Sequence, residues 1–400
     1  MQEMNKTFKR AVWLDVRADV KSEKDAKAAV EWCRESNIDI VFAGVNHASG
    51  LMTYASDVAP RLAETDRWDP TQVFLDRFRA AGIETHAWVC ISMWGGGKID
   101  PKCVSSRGPR TLQEAHKDWF CVDQNGQSVL ANGTKYAFVD PANRSVREFH
   151  VRLCEEVLDR YPFDGYHLDY IRYNFQTPQI PAKHKEAYTG KDDGLIVQLE
   201  GSERLSFDDA TLKAFQRDTG LDLMGAGPDL ASRVRWLYSS ENGGARREAW
   251  YAWKSAQVTE VVRLLGSAVH KRGRKLSAAV FGGYPWCGQE IAQRWPGWVD
   301  QRLLDFAAPM DYGVTIDEYP VFLRNQIAAM KVEPRPAVPL ISGIYSAELF
   351  DGLSEAGSDK LLARYMEIAK AEGRRGICLY CYKLFRKIFP SGIGCFRGKK

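Results

Sequence analysis

The sequence predicts a (β/α)8 TIM barrel, class α/β, with a long insertion after its fourth strand, and three observations carry that prediction. Short β-like runs alternate with helical patterns almost from end to end, the signature of a parallel sheet covered by helices. Eight such runs can be placed, and no GxGxxG follows the first to suggest an open, dinucleotide-binding sheet. The chain has 400 residues, 45% of them hydrophobic, which is enough for one elaborated barrel with a large core. The strands are expected at 11–16, 38–45, 84–91, 165–169, 276–281, 306–310, 338–343 and 376–380. Amphipathic segments at 25–36, 70–81, 145–160, 246–272, 321–331 and 359–372 supply the crossovers. The fifth crossover, 288–302, is poorly patterned, and little chain follows strand eight for a closing helix. Between strand four and its helix lie roughly seventy residues, 174–245, far more than an ordinary βα loop. Insertions there build over the C-terminal face, where barrel active sites lie, so 1–400 reads as a single barrel with 174–245 forming part of a substrate cleft.

Composition narrows the function. The formal charge is only +4, with cations and anions interspersed along the chain, so nucleic acid is not an expected partner. Aromatic residues make up 12% and include twelve Trp, which permits stacking on flat sugar faces. Nine Cys, odd in number and scattered, argue against a disulfide framework and for a reduced environment. Cys378 and Cys381 form a lone CxxC; residues three apart on a strand point to opposite faces, so both are expected to be buried structural thiols. Residues 1–10 hold no apolar leader and no run of eighteen apolar residues occurs, so no membrane span is expected. The chain as given reads as cytoplasmic, or as periplasmic or secreted if a leader has been removed. No cofactor is expected, and the oligomeric state stays open.

Strand parity sorts candidate site residues. Strand one sets Trp13, Asp15 and Arg17 against Val12, Leu14 and Val16. Strand three sets Glu84, His86, Trp88 and Cys90 against Thr85, Ala87 and Val89, and strand four places His167 with Asp169. The polar sets must face inward, so Asp15, Arg17, His86, His167 and Asp169 are expected at one mouth, where ionisable groups are either paired or functional. One reading is a satisfied ion-pair network, with Arg17 neutralising Asp15 and the His residues bonded to main chain. The other is a catalytic constellation centred on Asp169, which ends strand four just before an aromatic and basic run, Tyr170, Arg172 and Tyr173. A metal site through His86, His167 and Asp169 lacks the companion ligands and spacing that zinc sites use, and no GxSxG elbow offers acyl-transfer machinery.

The run Val139-Asp140-Pro141-Ala142-Asn143, then a helix, then Phe163-Asp164-Gly165-Tyr166-His167-Leu168-Asp169-Tyr170-Ile171-Arg172-Tyr173 resembles the signature of the glycoside-hydrolase-like family ten barrels. Ala11 to Leu14, Gly82 to Val89, Lys275 to Phe281 and Asp305 to Tyr312 resemble the family's first, third, fifth and sixth strands. Ser206-Phe207-Asp208-Asp209 with Leu212 to Gly220 is similar to the helix that members place after strand four. Coverage runs from about Arg10 to Tyr382. The resemblance implies a TIM barrel acting on O-glycosidic bonds, and some bacterial members are linked to peptidoglycan glycan strands. Two positions depart from related patterns. Ile171 stands where chitinase-type barrels carry their catalytic Glu, which argues against substrate-assisted chemistry, and Lys254 stands where the family has Arg.

Glycoside hydrolysis ordinarily uses two carboxyl groups, one donating a proton and one acting as nucleophile or as base for water. Asp169 is expected to be the nucleophile or base. Asp311, closing strand six, is the first candidate partner, although inward-facing Met310 and Tyr312 would turn it away; Glu241 and Asp15 are the substitutes. Arg172 or Arg17 would keep Asp169 charged. Trp88, Trp94, Tyr170, Trp286 and Tyr312 are candidate walls and stacking platforms, with Trp286 foremost because it follows strand five in a turn-rich loop. The alternative function is a carbohydrate-binding barrel without catalysis.

Overall fold

In the computed structural model, which describes residues 7–46, 50–95, 99–130, 137–174, 205–345 and 349–397, eight parallel strands close into a barrel in chain order. They are β1 (Lys9–Asp15), β2 (Ile40–Gly44), β3 (Glu84–Cys90), β4 (Gly165–Asp169), β5 (Lys275–Phe281), β6 (Phe306–Met310), β7 (Ile341–Tyr345) and β8 (Gly376–Tyr380). Closure comes from β1 on β8, with Lys9 opposite Gly376 and Val12 opposite Leu379. Two departures from the expected boundaries have clear causes. β1 ends at Asp15 because its carboxylate caps a helical turn, Val16–Asp19, accepting the N–H groups of Arg17 and Ala18. β7 begins at Ile341, three residues later than expected, just after Pro339, which has no N–H to offer a ladder.

Alternation along the strands separates two apolar layers. Trp13, Phe42, Ala279, Phe306, Ala308, Ile341 and Cys378 fill the barrel interior, while Val12, Leu14, Val41, Ala43, Leu168 and Leu379 pack outward against the helices. Cys381 also abuts the interior layer, because the chain turns at the end of β8; strict strand parity had put it opposite Cys378. Helices Glu23–Glu35, Pro70–Ala80, Arg144–Arg160 and Glu355–Ala371 start where a polar side chain, Ser22, Asp69, Asn143 or Ser354, accepts a first-turn N–H. The weakly patterned fifth crossover folds as two short helices, Trp286–Glu290 and Trp295–Asp300. Tyr382–Ile388 is the short closing helix.

Residues 175–204 of the insertion lie outside the described residues. Its later part forms helices Asp209–Thr219 and Leu230–Tyr238, which bury Phe207, Leu212, Phe215, Leu223, Val234 and Leu237 against Trp250 and Trp253. The two indoles stand on the first turns of helix Ala245–His270, stacked at 5.4 Å. That helix is apolar on more than one face because its start packs on the insertion and its end on β5. Asp140 clasps the two bodies together. Buried, it accepts from Tyr173 Oη at 3.0 Å and Ser206 Oγ at 2.5 Å. Lys254, also buried, lies over the rings of Tyr173 and Trp250 and so belongs to this clasp.

Candidate active site

At the C-terminal end of the barrel is a cavity of about 630 Å3 whose walls are mostly aromatic and whose carboxylate is Asp169. The last residues of β4, β5, β6, β7 and β8, namely Asp169, Phe281, Met310, Tyr345 and Tyr380, all line it. Trp13 forms its floor, one layer below, and Trp88, Tyr312, Phe138 and Trp286 complete the walls. Tyr380 ties these rings together, with centroids 5.9 Å from Trp13, 6.3 Å from Trp88 and 5.8 Å from both Tyr312 and Tyr345. Trp286 stands at the rim, 43% exposed and 5.6 Å from Phe281, the posture of a stacking platform.

Asp169 is 7% exposed and held at both oxygens. The indole N–H of Trp88 donates to Oδ2 at 3.0 Å. Tyr170 takes a left-handed backbone, φ 50°, and its N–H donates to Oδ1 at 2.6 Å. Trp88 reaches Asp169 from the neighbouring strand by lying over Gly44, where a Cβ would come within 3.0 Å of the indole. Arg172 is buried between the rings of Tyr170 and Phe281, 4.3 and 4.6 Å from their centroids, with Nη1 3.8 Å from Asp169 Oδ1. Its Nε and Nη1 meet no acceptor among the described residues, so it acts on Asp169 as a nearby charge and not through a hydrogen bond. Burial pushes the Asp169 carboxyl above the usual range, against the pull of Arg172, the Tyr170 N–H and Trp88. Burial also lifts the Tyr312 and Tyr380 phenols, with the Asp169 charge adding to the lift.

The structure therefore brings Asp169, Trp88, Tyr170, Arg172, Trp286 and Tyr312 together and leaves the other sequence candidates elsewhere. His86 and His167 do face inward, as parity requires, but they sit deeper in the barrel. Parity gives the face of a residue and not its height. Both are wholly buried, with His86 Nε2 2.8 Å from Glu84 and His167 bonded to Trp13 and Ser277. Arg17 leaves the strand with the helical turn that Asp15 caps, and neither residue lines the cavity. Asp311 is turned to the outer face between Met310 and Tyr312. Gln326 Nε2 donates to its Oδ1 at 2.7 Å, Ser342 Oγ donates to Oδ2, and Arg374 supplies the compensating charge. Glu241 is an exposed residue of the insertion paired with Arg246. Trp94 is core, donating to Ile91 O. Of the described part of the insertion, only Asn174 reaches the cavity. The missed wall residues Phe281, Tyr345 and Tyr380 are each the last residue of their strand, and Tyr345 lies beyond the strand expected at 338–343.

This geometry, one buried carboxylate among rings at the top of a closed barrel, sits inside a recognisable sequence frame. The model of the family described as glycosyl hydrolase-like 10 matches residues 9–347. The chain belongs to this family. Curated proteins of other names share shorter stretches with it. Glycosyl hydrolase DigH of Escherichia coli K12 is 23% identical over 145 residues, 35% of this chain and 30% of DigH. An S-layer-related protein of Niallia circulans is 26% identical over 186 residues, 41% of this chain and 11% of that protein. The matched stretch thus spans less than a third of these relatives' own length. Among solved structures, the glycoside hydrolase domain of PgaB (BpsB) from Bordetella bronchiseptica has a TM-score of 0.59 at 13% identity, over 96% of this chain and 97% of that one. The catalytic domain of beta-amylase from Paenibacillus polymyxa gives 0.56 at 13%, over 94% and 92%. At such identities the likeness is one of fold. This member of the glycosyl hydrolase-like 10 family is thus a TIM barrel. No described helix is long and apolar enough to cross a membrane.

Proposed function

We propose that this barrel hydrolyses O-glycosidic bonds in a poly- or oligosaccharide, with Asp169 as nucleophile or as base for water. The observation that carries this reading is a single buried carboxylate, clamped by Trp88 and Tyr170, in a cavity walled by aromatic rings. Rings of that kind bind the apolar faces of sugars, and a carboxylate with both oxygens anchored is already oriented for attack. Arg172 favours its ionised form, as either role demands. The test is reducing-end release from a panel of glycans, including peptidoglycan strands, by wild type and Asp169→Asn. The variant should lose release by orders of magnitude while keeping its fold.

A second reading, a carbohydrate-binding barrel without turnover, draws on one observation. Among the described residues that line the cavity, Asp169 is the only carboxylate. Binding of a glycan by wild type with no release of reducing ends would favour it.

A further inference from the structure

The barrel interior beneath the cavity holds a polar chain that the proposed chemistry does not use. Trp13 Nε1 donates to His167 Nε2 at 3.1 Å, and His167 Nδ1 lies 2.8 Å from Ser277 Oγ. Ser277 Oγ is in turn 3.4 Å from His86 Nδ1, whose Nε2 meets Glu84 Oε1 at 2.8 Å, where Lys275 Nζ also arrives at 2.8 Å. The chain runs from the cavity floor to the opposite end of the barrel. Glycine at 165 makes room for it, because a Cβ there would come within 2.3 Å of the His86 ring. An indole can only donate, so the network assigns His167 as the neutral tautomer with its proton on Nδ1. A wholly buried hydrogen-bonded chain fixes orientation more than it adds stability.

We propose that His167 is a positioning residue: by accepting the indole N–H of Trp13, whose ring is almost wholly buried, it fixes the floor that sets the depth and shape of the cavity a sugar would enter. Trp13 lines the cavity, and His167, on whose imidazole Phe42 stacks at 3.8 Å, is the acceptor that its indole meets among the described residues. The two indoles of the site are thus anchored in opposite directions. Trp88 is bonded up to Asp169, and Trp13 down to His167, two residues earlier on the same face of β4. The groups facing His167 from its neighbours are Trp13, Phe42, His86 and Ser277; none is a carboxylate that would hold a proton on it.

The inference rests on the cavity being a sugar site, and the two are tested separately. In protein labelled with 15N in His and Trp, the His167 signals should show a bare Nε2 and a protonated Nδ1 that do not change between pH 5 and 8. A His167 that titrates in that window would overturn the anchor. In His167→Phe the Trp13 indole resonance should move and exchange faster with solvent, and the dissociation constant should rise at least tenfold for the tightest binder among maltohexaose, cellohexaose and chitohexaose. His167→Gln, whose amide can accept from Trp13 and donate to Ser277, should restore both. Affinity within twofold of wild type in His167→Phe would refute the positioning role. Should wild type bind no glycan while the tautomer is as assigned, the sugar reading fails and the anchor stands. Trp13→Phe guards against misfolding, because in that background His167→Phe should change affinity no further.

Discussion

Asp169 is shaped by three neighbours whose effects can be separated by substitution. Asp169→Asn keeps the shape of the side chain but sets its NH2 against one of the two donors, Trp88 or Tyr170, so the melting temperature should fall by no more than a few degrees while turnover falls by several orders of magnitude; thermal melts and reducing-end assays check the two halves. A base or nucleophile works only when ionised, so activity is present above the Asp169 pKa and is lost as pH falls through it. Burial has raised that pKa, so the acid limb of kcat/KM should lie above the ordinary Asp value. Arg172 pulls the other way. Arg172→Gln should therefore move the acid limb to higher pH, and a pH profile unmoved by the change would remove Arg172 from the electrostatics of the site. Sequence parity found Asp169 and Trp88 because both lie near a strand's end on the inward face. It misjudged His86 and His167 because an alternating pattern carries no information on depth along the barrel axis.

At the scale of elements, β6 and the helix after the insertion carry the clearest consequences. The end of β6 is pinned on its outer side by Asp311, whose carboxyl burial raises to about 6 despite Arg374, Ser342 and Gln326. A folded pKa above the unfolded value means that its contribution to stability is full below about pH 4 and is lost as pH rises through 6. The shift corresponds to on the order of 2–3 kcal/mol. Wild type should therefore gain more stability than Asp311→Asn between pH 7.5 and 4.5, as read from urea midpoints at the two pH values. On helix Ala245–His270, Trp250 is wholly buried between the insertion and the barrel. Trp250→Ala should cost roughly 3–5 kcal/mol, by loss of burial and by the cavity left behind. Replacing residues 205–244 by a linker would strip the partners from Trp250 and Trp253, so the shortened chain should aggregate unless both indoles are changed as well. Strand parity already turned Asp311 away from the mouth, whereas the burial of Trp250 was not legible, because a helix covered on two faces loses the single apolar stripe that marks its orientation.

For the whole molecule, the barrel was legible because eight inward-outward alternations and their crossovers repeat one physical unit, and the errors are local. Pro339 delayed β7, Asp15 turned the chain out of β1, and Cys381 was swung inward by the turn after β8. The site was legible only in part. Trp286 could be assigned from its loop and stands at the rim, and Trp286→Ala should raise KM on long glycans at least fivefold with little change in kcat if it is an outer platform. The aromatic ring of strand ends, Phe281, Tyr345 and Tyr380, looks in sequence like ordinary strand-forming residues and becomes a wall only when the barrel closes. The reading that this wall and Asp169 together break glycosidic bonds is checked by incubating wild type and Asp169→Asn with defined oligosaccharides and peptidoglycan strands and resolving the products by mass spectrometry. Wild type should yield shortened glycans, each cut adding one water, and the variant should leave the glycans intact. Equal cleavage by the two proteins would remove Asp169 from the chemistry.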